Sequence, residues 1–329
     1  MHVHITYTGG TIGMKDSPNG LVPGADLASW VHRLVADSDH EDVVSMTEFP
    51  HLIDSSNATP SDWQAIVDDL HAHDEADAFV VLHGTDTMAY TTAALSYALT
   101  GFGRPVVVTG AQYPAFVVGS DAEPNVMGAL HAAISGRARG VSLFFGQRLI
   151  AGARATKASS WSFAGFDSPN VAPLAETGAP WSWTPGPPDG CGWPDPKPYV
   201  RSDVVVADLC PGITAARLAA LLDPLPDAAI LRAYGVGNAP SEEPGLADTI
   251  AHATAQGCVV VVSSQCFQAN VLLGHYETGD VLAKANAVGS GDMTLEATYA
   301  KVVFLLSQGL RGAELASWLG RNIAGELTV

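Results

Sequence analysis

The sequence predicts two α/β domains with mainly parallel sheets. Three observations carry that expectation. The chain is 329 residues long, 47% hydrophobic and 15% charged. Short β-branched runs alternate with helix-like stretches. One interval rich in Pro, Gly and Trp interrupts the alternation. The length exceeds that of one ordinary domain, and the apolar share suits a sizeable core rather than a disordered chain.

In chain order, strands are expected at residues 3–7, 78–82, 105–109 and 141–145, with helices between them. Thr59 is placed as the N-cap of a helix opened by Pro60, with Trp63, Ile66, Val67 and Leu70 at helical spacing. Further helices are expected near 87–99 and 125–135. Strands separated by helices imply βαβ units. Residues 181–202 cannot be regular helix or central strand. They contain Trp183-Thr184-Pro185-Gly186-Pro187-Pro188. They are read as a connection that also packs aromatic rings, between a domain at 1–180 and a smaller one at 203–329. In the latter, strands are expected at 204–209, 228–233 and 258–263, and helices at 214–222, 247–255 and 295–308.

The formal net charge is −18 with 16 basic residues, which argues against nucleic acid as a partner. No apolar run approaches the roughly 18 residues of a membrane span. The start of the chain lacks the basic-then-apolar pattern of a signal peptide. Cys191, Cys210, Cys258 and Cys266 form no CxxC pair and are expected to be buried free thiols in a reducing cytoplasm. His2 and His4 share one face of the first strand, and His71 and His73 sit near a helix end. None of them is assigned a metal.

In open α/β sheets ligands gather outside the carboxyl ends of strands, so the segments following each strand are the candidates. Thr8-Gly9-Gly10-Thr11-Ile12-Gly13 offers a hydroxyl on a glycine turn, or an ordinary strand-to-loop turn. His83-Gly84-Thr85-Asp86-Thr87 offers a relay, or a set of helix caps. Asp54-Ser55-Ser56 offers a grip for a polar ligand, or an Asx turn. Lys157 is one of five lysines. It is a base candidate near a hydroxyl, or a solvated surface group.

Together these segments resemble the type I, cytoplasmic-type, branch of the bacterial-type asparaginase family. Val108-Thr109-Gly110-Ala111-Gln112, Thr156-Lys157-Ala158, Phe166-Asp167-Ser168-Pro169-Asn170, 231–240 and Ser263-Ser264-Gln265-Cys266 extend the match. The resemblance implies an asparaginase-like fold and an amidohydrolase without a cofactor. It implies Thr11 as nucleophile, Thr85, Asp86 and Lys157 as its relay, and L-asparagine as substrate. Asp54, Ser55, Ser56 and Asp86 would hold the substrate, with the Gly10 and Gly84 backbones lining the site. It also implies a cytoplasmic homodimer or homotetramer, with Asn238 in a segment that completes a neighbour's site. Arg232 and Cys266 fall in segments resembling a regulatory site. In one respect the sequence departs from the family: Leu21 stands where a loop tyrosine is expected. That departure keeps open a weakly active or sensing paralogue. Two neighbouring specificities also stay open, that of a glutaminase and that of the amide-cleaving subunit of a transfer-RNA amidotransferase.

Overall fold

The computed structural model of the chain describes all residues except 19, 25, 37–43, 275–276 and 329, and leaves the side chains of 16–17, 21–23 and 277–280 undescribed. Two compact units result, Met1–Pro187 and Pro188–Val329.

The first unit contains β1 (Val3–Gly9), β2 (Met14–Ser17), β3 (Gly20–Pro23), α1 (Leu27–Ala36), β4 (Val44–Ile53), α2 (Pro60–Ala72), β5 (Ala78–Leu82), α3 (Met88–Ala98), β6 (Val106–Thr109), α4 (Ala122–Ile134), β7 (Val141–Phe145), β8 (Arg148–Ala151), β9 (Thr156–Lys157), β10 (Phe166–Asp167), β11 (Ala175–Glu176) and β12 (Ser182–Trp183). Its main sheet has the order β12-β11-β8-β7-β6-β5-β1-β4. From β7 to β4 the strands are parallel, while β8, β11 and β12 add antiparallel pairs at one end. Strands β1, β5, β6 and β7 are buried throughout; β5 and β6 read as near-continuous apolar runs, as strands covered on both faces do, whereas β1 alternates apolar and polar residues although both of its faces are covered. Val3, Ile5, Tyr7, Val80, Leu82 and Val107 form part of one core cluster.

Local chemistry sets the helix starts. Pro60 begins α2, and the Asp62 carboxylate accepts both the Thr59 N–H and its hydroxyl, at 2.7 and 2.8 Å. Helix α4 starts at Ala122, three residues before the sequence expectation. Pro124 sits in its first turn, where a missing N–H forfeits no intrahelical bond.

Trp181 and Trp183 pack against the first core, and Trp181 stacks on Phe144 with 5.5 Å between ring centroids. Trp193 contacts Phe304 and Trp318 within the second unit. The stretch 181–202 therefore packs aromatic rings in each unit separately. After Thr11, β2 and β3 pair antiparallel, with Asp16 opposite Leu21.

The second unit carries β13 (Val204–Asp208), α5 (Ala215–Leu221), β14 (Ala228–Ala233), α6 (Leu246–Ala255), β15 (Val259–Ser264), α7 (Glu277–Lys284), β16 (Val288–Gly289), α8 (Leu295–Ser307) and α9 (Gly312–Leu319). Its four strands run parallel in chain order. The cysteine expectation needs correction. All four thiols are free, but only Cys258 is buried. Cys210 and Cys266 fall just past the ends of β13 and β15, where the chain leaves the sheet, and Cys191 lies in the Pro/Gly/Trp-rich stretch. No helix among the described residues is long and apolar enough to cross a membrane.

Candidate active site

Strand β1 is the switch point of the first sheet. β4 lies on one side of it and β5, β6 and β7 on the other, the position where ligand crevices form in such sheets. Three loops emerge there, after β1, β4 and β5.

These loops touch backbone to backbone. Gly10 has φ 94° and ψ 176°, and a Cβ on it would lie 2.4 Å from Gly84 Cα. A Cβ on Gly84 would in turn lie 2.5 Å from Ser55 Oγ. Glycine at both positions is thus a condition for the three loops to meet. Each is followed directly by a threonine. Half-buried Thr11 opens a 3-10 turn, Thr11–Gly13, and Thr85 is buried at 7% exposure.

Lys157 joins the group from β9. Its Nζ donates to Thr85 Oγ1 at 2.9 Å and to Asp86 Oδ1 at 2.7 Å. The lysine side chain is 19% exposed and that of Asp86 61%, so the pair spans from the buried hydroxyl to the open surface. The N-cap of α3 is Thr87, whose side chain makes no cap hydrogen bond; its hydroxyl donates instead to the Ser55 carbonyl at 2.7 Å.

The loop after β4 divides its polar groups. Ser55 is buried, and its hydroxyl accepts the Asp86 N–H at 3.2 Å. Asp54 and Ser56 are exposed, and Asp54 Oδ1 accepts both the Ser56 N–H and its hydroxyl, at 3.0 and 2.9 Å. The Asx-turn reading of Asp54 is therefore present in the fold, on the same loop as the expected substrate contacts. The side chain of Leu21 lies outside the described ones.

Two groups that the sequence reading gave no role hold this arrangement. His83 is buried between β5 and the loop. Burial lowers its pKa and outweighs the opposing effects of the Gly84 carbonyl and Asp62. The neutral ring donates from Nδ1 to the Gly84 carbonyl at 2.7 Å and accepts at Nε2 from the Thr91 hydroxyl at 3.1 Å. Gln112 braces the arm that carries Lys157. Its Nε2 donates to the carbonyls of Ser159 and Ser162 at 3.4 and 3.2 Å, while its backbone N–H is fixed by the Asp121 carboxylate. Both residues belong to quoted motifs, but the Ser159 and Ser162 partners of Gln112 are remote in sequence, and the ring contacts of His83 depend on how the loop after β5 folds back on α3, so motif reading gave no signal of these roles.

In the second unit, Arg232 pairs with Asp208 at 3.0 Å, Gln265 Nε2 donates to the carbonyls of Leu209 and Arg232, and Cys266 is exposed. Asn238 closes a tight turn with Tyr234. Among the described residues, the only His, Cys, Asp and Glu side chains close enough to share an ion are His4, Asp69 and His73, which lie on β1 and α2 rather than on these loops.

Two threonines that follow touching glycine loops at a sheet's switch point, Thr85 held by a lysine–carboxylate pair, place this chain with the α/β proteins that build a site from the strand ends of one sheet. Comparison with known proteins narrows that class. The profile described as "Asparaginase, N-terminal" matches residues 2–187, and "Glutaminase/Asparaginase C-terminal domain" matches 203–319. L-asparaginase 1 of Escherichia coli (strain K12) is 41% identical over 99% of this chain and 98% of its own length. The crystal structure of L-asparaginase I from Vibrio cholerae superposes with TM-score 0.89 at 36% identity, covering 100% of this chain and 99% of that one. The thermostable L-asparaginase of Thermococcus kodakarensis superposes with TM-score 0.86 at 31% identity, with both chains fully covered. The chain belongs to the asparaginase family.

Proposed function

We propose that this chain is a type I L-asparaginase that hydrolyses the side-chain amide of L-asparagine to L-aspartate and ammonia through an acyl-threonine intermediate. The observation that carries the site assignment is the double contact of Lys157 with Thr85 and Asp86 beside the Gly10–Gly84 junction. The names of the full-length relatives supply the substrate.

Thr11 Oγ attacks the amide carbon. A threonine hydroxyl needs a base for this, and its proton passes to the relay of Thr85 and Lys157, with Asp86 orienting the lysine. Backbone N–H groups at the Gly10–Thr11 and Gly84–Thr85 turns face the negative charge that develops on the amide oxygen. The carbon–nitrogen bond breaks and the amide nitrogen takes a proton to leave as ammonia. Water then attacks the aspartyl ester, aspartate departs, and Thr11 regains its proton. Asp86 and Asp54 receive the substrate's α-ammonium, while Ser55 and Ser56 lie toward its α-carboxylate. The scheme draws only on side chains and backbone.

The assembly we favour is a homodimer or homotetramer. In support, the first unit leaves Phe116, Val118 and Trp161 at 50%, 101% and 83% exposure. A cytoplasmic setting fits three exposed free thiols.

Ammonia release from L-asparagine by wild type and Thr11→Ala tests the assignment. The variant is expected to lose about 10⁴-fold or more in kcat, and rapid acid quenching of the wild type should trap an aspartyl ester on Thr11. Equal rates, or an ester on another residue, would overturn the nucleophile.

A further inference from the structure

We propose that His4, Asp69 and His73 form a binding site for one divalent transition-metal ion, of which zinc is the natural probe, between β1 and α2. His4 comes from β1, and Asp69 and His73 from α2 and its C-cap. Their ligand atoms all lie within 4.8 Å of one another. Two imidazoles and a carboxylate are a donor set that zinc accepts, with a fourth position left to water.

The distances favour a shared ion over direct hydrogen bonds. His4 Nε2 lies 3.4 Å from Asp69 Oδ2, and His73 Nδ1 lies 3.6 Å from Asp69 Oδ1. Both separations exceed the usual N–H···O range of about 2.7–3.2 Å. A zinc tetrahedron with arms of about 2.0–2.1 Å has edges of about 3.4 Å. The two rings stack with centroids 3.6 Å apart, each turning a nitrogen to the same carboxylate.

A second, independent feature points into the same space. His4 is 1% exposed, and its Nε2 is buried with no hydrogen-bond partner. Such a group is costly to leave unmet. The surrounding contacts are those that orient metal ligands. His4 Nδ1 bonds to Ser45 Oγ at 2.8 Å, and the Thr6 hydroxyl donates to Asp69 Oδ2 at 2.6 Å. His73, 28% exposed, gives an entry path. Its Nδ1 also contacts the Asp69 carbonyl at 2.8 Å, and an ion would displace the ring proton there, as coordination does elsewhere.

The ion would tie β1, whose end presents Gly10 and Thr11, to α2, which begins directly after the Asp54–Asn57 loop. Its role is to brace two of the three loops of the site, from outside the chemistry.

The test uses full-length protein without an affinity tag, dialysed against chelator. Zinc is titrated in competition with a chromophoric chelator, and cobalt(II) is added separately to read the ligand field. Wild type should take up one zinc per chain, melt at a higher temperature with zinc, and show the absorption bands of a tetrahedral cobalt site. Ser45→Ala should weaken zinc about 10–100-fold. His73→Ala should weaken it further and abolish the cobalt bands. His73→Gln, closer in size, repeats the comparison if His73→Ala melts near the assay temperature. No zinc uptake by wild type, or equal stoichiometry and affinity in wild type and both His73 variants, would overturn the site. None of these three readouts depends on asparagine turnover.

Discussion

Two lysine–carboxylate pairs in this chain have the same length and opposite surroundings. Lys157 meets Asp86 at 2.7 Å with the carboxylate side chain 61% exposed. Lys301 meets Glu326 at 2.7 Å with both side chains 0% exposed. Beyond its carboxylate, Lys157 has one neighbour of interest, the Thr85 hydroxyl. Lys301 is saturated. Its three donors reach Glu326 and the carbonyls of Leu319 and Arg321, and Glu326 also accepts N–H groups from Ile323 and Ala324. Burial lowers the pKa of Lys301 against the pull of Glu326. A pair with every bond filled can only hold the chain together. A pair that ends on a hydroxyl and opens to solvent can move a proton to a ligand.

The largest effect that sharpens this contrast is on catalysis. Lys157→Met is expected to lower kcat about 10²–10⁴-fold, the range for loss of a positioned proton-transfer group. The melting temperature should barely change, since an exposed pair contributes about 0–1 kcal/mol. Steady-state ammonia release and a thermal melt on the same sample check both halves. Unchanged kcat with a large loss of stability would make Lys157 a structural residue like Lys301.

The reverse outcome is expected in the second unit. Lys301→Met strands a buried carboxylate and should cost about 3–5 kcal/mol of stability. The folded fraction should keep the wild-type kcat. Replacing both partners, Lys301→Met with Glu326→Leu, should recover most of the loss, because a buried pair is often matched by apolar groups of similar volume. Denaturant midpoints measure this. A double variant no more stable than the single one would show that the carbonyl contacts, not the charge pairing, matter.

The same contrast shows what is legible in the sequence. Strands β5, β7 and β14 occupy the spans the sequence predicts, because short, mainly apolar runs bounded by turns have few other readings. Strand β4 is not among the predicted strands. It is an edge strand, half exposed, with Pro50 inside it, and such strands carry weak signals. Thr11, Thr85 and Lys157 are legible only as a set resembling a family. Lys157 lies 72 residues from Thr85, and no local rule predicts that contact. The Lys301–Glu326 pair and the cluster around Asp69 are illegible for the same reason. Each needs packing between segments whose sequences are individually bland.

A smaller effect probes the loop junction rather than the charges. Gly84→Ala would place a methyl group 2.5 Å from Ser55 Oγ and 2.8 Å from its Cβ. Overpacking of this kind costs about 1–3 kcal/mol. Because Ser55 also accepts the Asp86 N–H, the shift should reach the relay and lower kcat/KM together with the melting temperature. Loss of stability alone, with kcat/KM intact, would separate the junction from the chemistry.

The smallest expected effect is a slope in the acid limb of stability. Burial holds His83 neutral, with a folded pKa below the ordinary histidine value. As pH falls through about 6.5, the unfolded chain takes up this proton and the folded chain does not. Stability therefore declines with falling pH, at up to about 1.4 kcal/mol per pH unit for one proton, until pH reaches the lower folded pKa and the slope ends. Above about pH 7 the group contributes no slope. His83→Asn should remove this component, flattening the curve of unfolding free energy below about pH 6.5 even if it lowers the whole curve. An unchanged slope in the variant would mean that His83 is protonated in the fold and donates from both nitrogens, so that Gly84 is held by an imidazolium rather than by a neutral ring.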